Sequence, residues 1–408
     1  MTGNTLLAPR MASVKESPTA AVSRRARELS DAGQTIINLG EGELDFDTPS
    51  HIADAGIEAI RTGQTRYTAV AGTPELKAAI CAKFQRENGL AVTPDQVISG
   101  TGAKQIIFNA LLATVSTDDE VIIPVPSWVS YPDIVGLCGG TVRLVSCPEE
   151  GQFKLTGEQL RAAITPKTKW LILNNPNNPT GSVYSAGELA DLAAVLLDHP
   201  HVLVMADDIY EHITYDASFA TIAAVEPRIA DLTLTINGVS KVFSMTGWRL
   251  GYAAGPKWLI SAIEVLTSQS TTNPSTITQV AAAAALNGPL EFFAPRLEAL
   301  RKRRDHVLRA LPETQGALTA GIPDGAFYVY ANCTGMMGAT TPAGWKIEND
   351  VDAARYLLEE AGVAVVPGAA FNMSPYLRIV FAVDDATLAL ACERIIAACR
   401  LLQRALSD

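Results

Sequence analysis

At 408 residues, 48 % hydrophobic and 18 % charged, the chain has the material for a large core and for two domains. Its formal net charge of −11 excludes the basic surface that nucleic acid or an anionic membrane recruits, though not a local cationic pocket for a small acidic substrate. Six cysteines without a Cys-x-x-Cys pair, and no histidine at metal spacing, argue against a metal site and for reduced thiols in a cytoplasmic protein.

MTGNTLLAPR at the start lacks the apolar region of a signal peptide, and the run VAAAAAL at 280–286 is too short to span a bilayer, so a soluble protein is expected. Residues 1–50 read as an arm, a helix over Thr19–Ala32 and a strand TIINLG that runs into the acidic turn EGELDFDTPS. Helical periodicity follows at His51–Thr62 and Pro74–Asn88, and QVISGTGAKQIIFNALLATV reads as strand, glycine turn and helix. Apolar strand-like runs come next at EVIIPVP, TVRLV, KWLILNN, HVLVMAD, TLTI and GYAAG, most of them separated by segments long enough for crossovers. That spacing predicts a mainly parallel sheet covered by helices on both faces. After an expected long helix over Gly288–Leu311, the short strands AFYVYAN, GVAVVPG and YLRIVFAV and a closing helix over Asp384–Leu406 point to a smaller α+β domain. The expected division is a large domain over 50–300 and a small one built from 1–49 and 301–408.

The polar signals fall just past strand ends, where ligands of such sheets sit. From Leu232 to Pro256 the only charged side chains are Lys241 and Arg249. Burial lowers an ammonium pKa and frees the amine for Schiff-base chemistry, while a guanidinium fork suits phosphate oxygens. Taken alone, a snorkelling lysine and a capping arginine explain the pair as well. The turn SGTGAKQ at 99–105 puts amides at a helix start, a place for an anion. NNPNNPTG at 174–181 reads either as a ligand-facing Asn178 or as a well-capped turn. HVLVMADDIY ends a strand in two aspartates that could cap the next helix or pair with a ring nitrogen. Arg378, inside the apolar strand YLRIVFAV, needs a carboxylate from the protein or from a substrate.

Eight segments in one order carry a resemblance: GEGELDFDTP, YTAVAGTPELKAAI, PSWVSYPD, NNPNNPTG, ADDIYEH, SKVFSMTGWRLGY, DGAFYVY and YLRIVFA. Together they resemble the class I, fold-type I pyridoxal-phosphate aminotransferases, in the bacterial aspartate aminotransferase subgroup, nearly end to end. The resemblance implies pyridoxal 5'-phosphate as cofactor, with Lys241 carrying the Schiff base and Asp207 pairing with the pyridine nitrogen. It places Tyr210 and Asn178 at the ring's phenolic oxygen, Trp128 on the ring face, and Arg249, Ser240 and the turn Gly102, Ala103, Lys104 at the phosphate. Tyr67 would reach the phosphate from a second subunit, implying a homodimer with shared sites. Arg378 would clamp the substrate α-carboxylate with backbone help near Gly40, alongside Trp128 and Asn178.

Three positions depart from the family pattern. Leu44 replaces a proline, Gly238 replaces a phosphate-binding serine of some relatives, and Ser268 appears where a second substrate arginine is usual. Lys15 and Thr19 are the alternative candidates for a distal carboxylate. The activity this implies is ping-pong transfer of an amino group from aspartate or glutamate to a 2-oxo acid such as 2-oxoglutarate. Its alternatives are an aromatic, prephenate or other specialised donor, or another reaction of the same cofactor (β-elimination, decarboxylation, oxidation). A ligand sensor fused to a DNA-binding module is disfavoured, because only about forty residues precede the first site-lining turn and no basic stripe is present.

Overall fold

Twelve strands form three sheets in the computed structural model, which describes residues 7–8, 10–11, 14 and 16–403. They are β1 (Ile37–Asn38), β2 (Val97–Gly100), β3 (Glu120–Val125), β4 (Thr141–Ser146), β5 (Thr168–Asn174), β6 (Leu203–Asp207), β7 (Thr233–Gly238), β8 (Gly251–Ala254), β9 (Tyr328–Asn332), β10 (Val363–Ala364), β11 (Val366–Pro367) and β12 (Tyr376–Val380). The central sheet has the order β2-β8-β7-β6-β5-β3-β4. Its strands β4, β3, β5, β6 and β7 pair in parallel, and β8 runs antiparallel to both of its neighbours.

Continuous apolar runs form these strands because both faces of the sheet are covered. Trp170 and Ile172 of β5 enter one core with Ile106, Ile107 and Ile263 from the helices Ala103–Thr114 and Lys257–Ser268. Leu171 and Leu173 point the other way, against Leu189, Leu192 and Leu196 of the helix Ala186–Leu197. Edge strand β4 is the exception, with every residue at least partly exposed and Arg143 in its middle.

The smaller sheets come from the chain ends. β1 pairs with β10, and β12 lies between β11 and β9 in an antiparallel sheet that sets Arg378 opposite Tyr330. Helices Pro18–Asp31, Phe293–Ala310, Asp350–Ala361 and Asp385–Leu401 accompany them. The helix expected over 288–311 starts only at Phe293, because Gly288 and Pro289 end the preceding helix Thr276–Asn287. The helix expected over 74–88 is α-helical to Lys83 and then widens into one π turn, Phe84–Asn88. The last helix stops at Leu401 rather than at 406.

Candidate active site

A cavity of about 630 Å³ opens where the parallel strands end. Because β8 alone runs the other way, its start lies at that same rim, and Arg249, two residues before it, joins the residues that follow β2, β5, β6 and β7. All the proposed ring, phosphate and carboxylate residues except Tyr67 line this one cavity: Gly40, Gly102, Ala103, Lys104, Trp128, Asn178, Asp207, Tyr210, Ser240, Lys241, Arg249 and Arg378.

Lys241 follows β7 by three residues, and its Nζ donates to the Gly42 carbonyl at 2.6 Å, beneath the acidic turn. Desolvation and the nearby Arg378 charge pull its ammonium down to about 8, with Glu43 and Asp207 acting in the opposite sense. A fraction of the amine is therefore free at neutral pH. Asp207 ends β6 and is buried. Its Oδ2 accepts the Tyr131 hydroxyl at 2.6 Å, and its buried Oδ1 has no partner among the described residues. Burial pushes this carboxyl up to about 6, against the Tyr131 bond, the Ile209 amide and the Lys241 charge. No helix begins after Asp207, so the capping alternative fails: residues 208–213 form turns that bring Tyr210 to the cavity, its hydroxyl 2.7 Å from that of Tyr328.

The anion end is shaped by close backbone approach. Gly100, Gly251 and Gly238 lie in one row across β2, β8 and β7, and a Cβ on Gly251 would collide with the Ala103 backbone. Gly102, at φ 79°, turns the chain into the helix Ala103–Thr114 so that its first amides face the cavity. A Cβ on Gly102 would lie 2.6 Å from Arg249 Nη2. Arg249 itself adopts φ 56°, donates to the Thr246 carbonyl at 2.8 Å and is exposed, not half-buried as the charge-poor sequence implies. The turn Thr246–Trp248 lifts it to the rim. Lys104 stands over the Trp128 ring at 4.7 Å from its centroid, and Trp128 packs edge-on against Tyr131.

At the other end, Arg378 is 2 % exposed and has no carboxylate partner among the described residues. Its Nη1 donates to Asn178 Oδ1 at 2.9 Å and its Nη2 to the Gly40 carbonyl at 2.6 Å, while Tyr328 and Phe371 flank the guanidinium. Gly40 thus orients the arginine through its carbonyl. The turn NNPNNPTG is held by its own asparagines, and Asn178 lines the cavity. Asn174 and Asn177 accept from the Asn178 and Thr180 amides, Asn174 and Asn175 also donate to the Asp207 and Ala220 carbonyls, and Asn178 turns its side-chain oxygen to Arg378.

The remaining candidates separate. Thr19 lines the cavity with Ser23 and Arg27, and Lys15 lies outside the described residues. Tyr67 is 87 % exposed and lies outside its own chain's cavity, in a surface groove with Thr271 and Asn273. Ser268 is exposed at the end of its helix and bonds only locally. Gly238 leaves about 3 Å to Ile209 and to the Leu250 carbonyl, too little for a serine without local shifts. Leu44 fills the core. Tyr131, Tyr328 and Glu43 are site residues not singled out in the sequence. All three lie within the motifs PSWVSYPD, DGAFYVY and GEGELDFDTP, which was the available signal.

The set fits pyridoxal phosphate. The unpartnered Asp207 oxygen suits a protonated ring nitrogen, the Gly102 turn with Arg249 suits the phosphate, and Lys241 supplies the amine. The comparisons with known proteins agree. The family described as aminotransferase class I and II matches residues 34–395. An aspartate/prephenate aminotransferase of Cereibacter sphaeroides is 56 % identical over 394 residues, covering 96 % of this chain and 98 % of that protein. The crystal structure of the aspartate aminotransferase from Rhizobium meliloti superposes with a TM-score of 0.95 at 50 % identity, covering 98 % of this chain and 100 % of that one. The Thermus thermophilus aspartate aminotransferase with maleate gives 0.90 at 41 % identity, with 98 % and 100 % covered. This chain belongs to the class I and II aminotransferases, and is a transaminase that uses pyridoxal 5'-phosphate.

Proposed function

We propose that the enzyme moves the amino group of L-aspartate or L-glutamate to a 2-oxo acid such as 2-oxoglutarate by a ping-pong mechanism. The observation that carries the acidic preference is the supply of cations in the cavity. Arg378 serves an α-carboxylate and Arg249 with the Gly102 turn serves a phosphate, which leaves the ammonium of Lys104 over Trp128, with Arg27 at the cavity's edge beside Glu41, for a second carboxylate. The Thermus relative's maleate is itself a dicarboxylate.

When bound, the cofactor supplies an electron sink conjugated with the substrate Cα. The chain's residues do the rest. Lys241 Nζ, as a free amine, would take up and return the proton at the substrate Cα. Asp207 holds the ring nitrogen protonated, and the Tyr131 hydroxyl keeps that carboxylate aimed. Tyr210 and Asn178 would reach the phenolic oxygen, Trp128 would cover the ring, and Ser240 would assist Arg249 and the backbone amides of Ala103 and Lys104 at the phosphate end. Arg378 would fix the α-carboxylate and with it the direction of the Cα–H bond that the reaction breaks.

The proposal includes a homodimer in which Tyr67 of a second copy completes the phosphate end. Its support is a large aromatic left exposed outside its own cavity. It also includes two domains, 50–300 and the paired ends 1–49 with 301–408, and a cytoplasmic location. Six free cysteines support the latter, and no described helix is long and apolar enough to cross a membrane. A prephenate-directed activity is the second reading, favoured by the named activity of the Cereibacter relative and by prephenate's own two carboxylates. The test is steady-state transamination with aspartate and 2-oxoglutarate, repeated with prephenate as acceptor and with aromatic donors. A kcat/KM for aspartate at least tenfold above that for aromatic donors is expected. The reverse ranking overturns the acidic assignment.

A further inference from the structure

The turn that carries Asp207 and Tyr210 continues into Glu211 and His212, which point away from the cavity into a buried ionic cluster. Lys83, at the end of the helix Pro74–Lys83, is 1 % exposed, and its ammonium donates to Glu211, itself 3 % exposed. Asn88 ties the pair from both sides, accepting from Lys83 at 2.7 Å and donating to Glu211 Oε2 at 2.6 Å. The π turn Phe84–Asn88 brings Asn88 and Glu87 to the same side as Lys83. His212 Nε2 lies 3.0 Å from Glu87 and its Nδ1 3.4 Å from Glu211. Glu87, Glu211 and His212 stand close enough together to resemble metal ligands. Lys83 already supplies the cation there, bonded to Glu211 and 3.8 Å from Glu87, so the cluster carries no metal site.

This cluster has no contact with the cavity, and burial makes it an expensive way to gain stability. A buried ion pair is commonly matched or bettered by apolar residues of similar volume, while removing one member alone is strongly destabilising. What the pair adds is position. The backbone of the turn is held by Asp208 N to the Ile236 carbonyl, by Glu211 N to the Asp208 carbonyl and by Ile213 N to the Tyr210 carbonyl. The Glu211 side chain adds a directional link from this turn to a helix outside the central sheet.

We infer that Lys83 and Glu211 act as a buried ionic pin that sets the turn Asp207–Ile213, making Lys83 a positioning residue for the ring contacts of Asp207 and Tyr210. The inference rests on the reading of Asp207 and Tyr210 as ring partners. The variant to make is the double substitution Lys83→Met with Glu211→Met, which removes the paired charges together and leaves Glu87 its contacts with Arg86 and His212. Three quantities are measured on the cofactor-loaded enzyme: the thermal midpoint, the cofactor dissociation constant, and the visible circular dichroism of the bound cofactor, which reads ring orientation. Expected are a thermal midpoint close to that of the parent, cofactor affinity weaker on the order of tenfold, the size that couplings between neighbouring buried groups reach, and a reduced dichroic band. A double variant that binds cofactor with the parent's affinity and dichroism overturns the inference, because the pair would then serve stability alone. Asp207→Ala, measured in parallel, separates this from failure of the site reading. If it too binds and orients the cofactor normally, the ring-partner assignment is wrong. If it alone loses both, only the pin is wrong.

Discussion

The two anion-binding ends of the cavity are built in opposite ways. Arg378 sits in the central strand of the small sheet, buried, with its fork held by Asn178 and the Gly40 carbonyl and its faces covered by aromatic rings. It lacks only a carboxylate. Arg249 stands exposed in a left-handed turn with one backbone bond, near the exposed Lys104. Water screens such a pair, whereas a buried like-charge pair is costly. One end is therefore finished within a single chain. The other is finished by its ligand and, on the reading given above, by a second copy.

That contrast predicts unequal responses to substitution. Arg378→Leu removes a desolvated charge partner, and kcat/KM for aspartate should fall by roughly 30- to 5,000-fold, the range for a lost buried ion contact of 2–5 kcal/mol. Cofactor affinity should change little, as measured by titration of the apo-enzyme. An equal loss of cofactor affinity would erase the distinction between the two ends. Arg249→Ala should weaken cofactor binding by roughly 10- to 100-fold, with the parent's binding also weakening as salt rises because this end is exposed. Salt-independent binding would contradict the open geometry.

Smaller effects sharpen the comparison. Lys104→Met should raise KM for aspartate about tenfold while leaving KM for an aromatic donor unchanged, since one charge-assisted contact of about 1.5 kcal/mol is lost. Tyr67→Phe should weaken cofactor binding only about two- to tenfold, one neutral hydrogen bond's worth. An effect of that size at micromolar but not at strongly diluted protein would tie Tyr67 to a second copy. The pH response is set inside the cavity. Lys241 is held near 8, so its free amine increases as pH rises through about 8, and Asp207, near 6, is anionic above about 6. The rate at which the apo-enzyme captures pyridoxal phosphate, followed by stopped-flow absorbance, should climb from about pH 6 to about 8 and then level. A rate that keeps climbing well above pH 8, towards the 10.5 of an ordinary lysine, would mean that Lys241 is not perturbed as described.

Much of this was legible in the sequence because each apolar run stops at a polar turn, and the turns after β2, β5, β6 and β7 hold the charged and amide groups that meet in the cavity. Strand direction was not. GYAA has no feature that distinguishes parallel from antiparallel pairing, yet the reversal of β8 is what brings Arg249 to the rim. Nor was exposure. A stretch poor in charge reads as half-buried, and only the turn at 246–248 shows where Arg249 ends up. Tyr131 and Tyr328 escaped notice because a buried tyrosine reads as core until its hydroxyl partner is known, and those partners, Asp207 and Tyr210, are distant in sequence. Arg378 signalled its need for an anion, while the lack of a carboxylate partner among the described residues became visible only in three dimensions.

The central claim is that Lys241 binds the cofactor covalently beside a carboxylate clamp suited to an acidic amino acid. It is tested most directly by the visible spectrum of the purified enzyme before and after L-aspartate is added with no oxo acid present. The account predicts the absorption of lysine-bound pyridoxal phosphate, replaced on adding aspartate by that of the amine form of the cofactor, with neither band in Lys241→Ala. A lysine-bound band that aspartate leaves unchanged would contradict the substrate assignment. No band after incubation with pyridoxal phosphate would contradict the role of Lys241 itself.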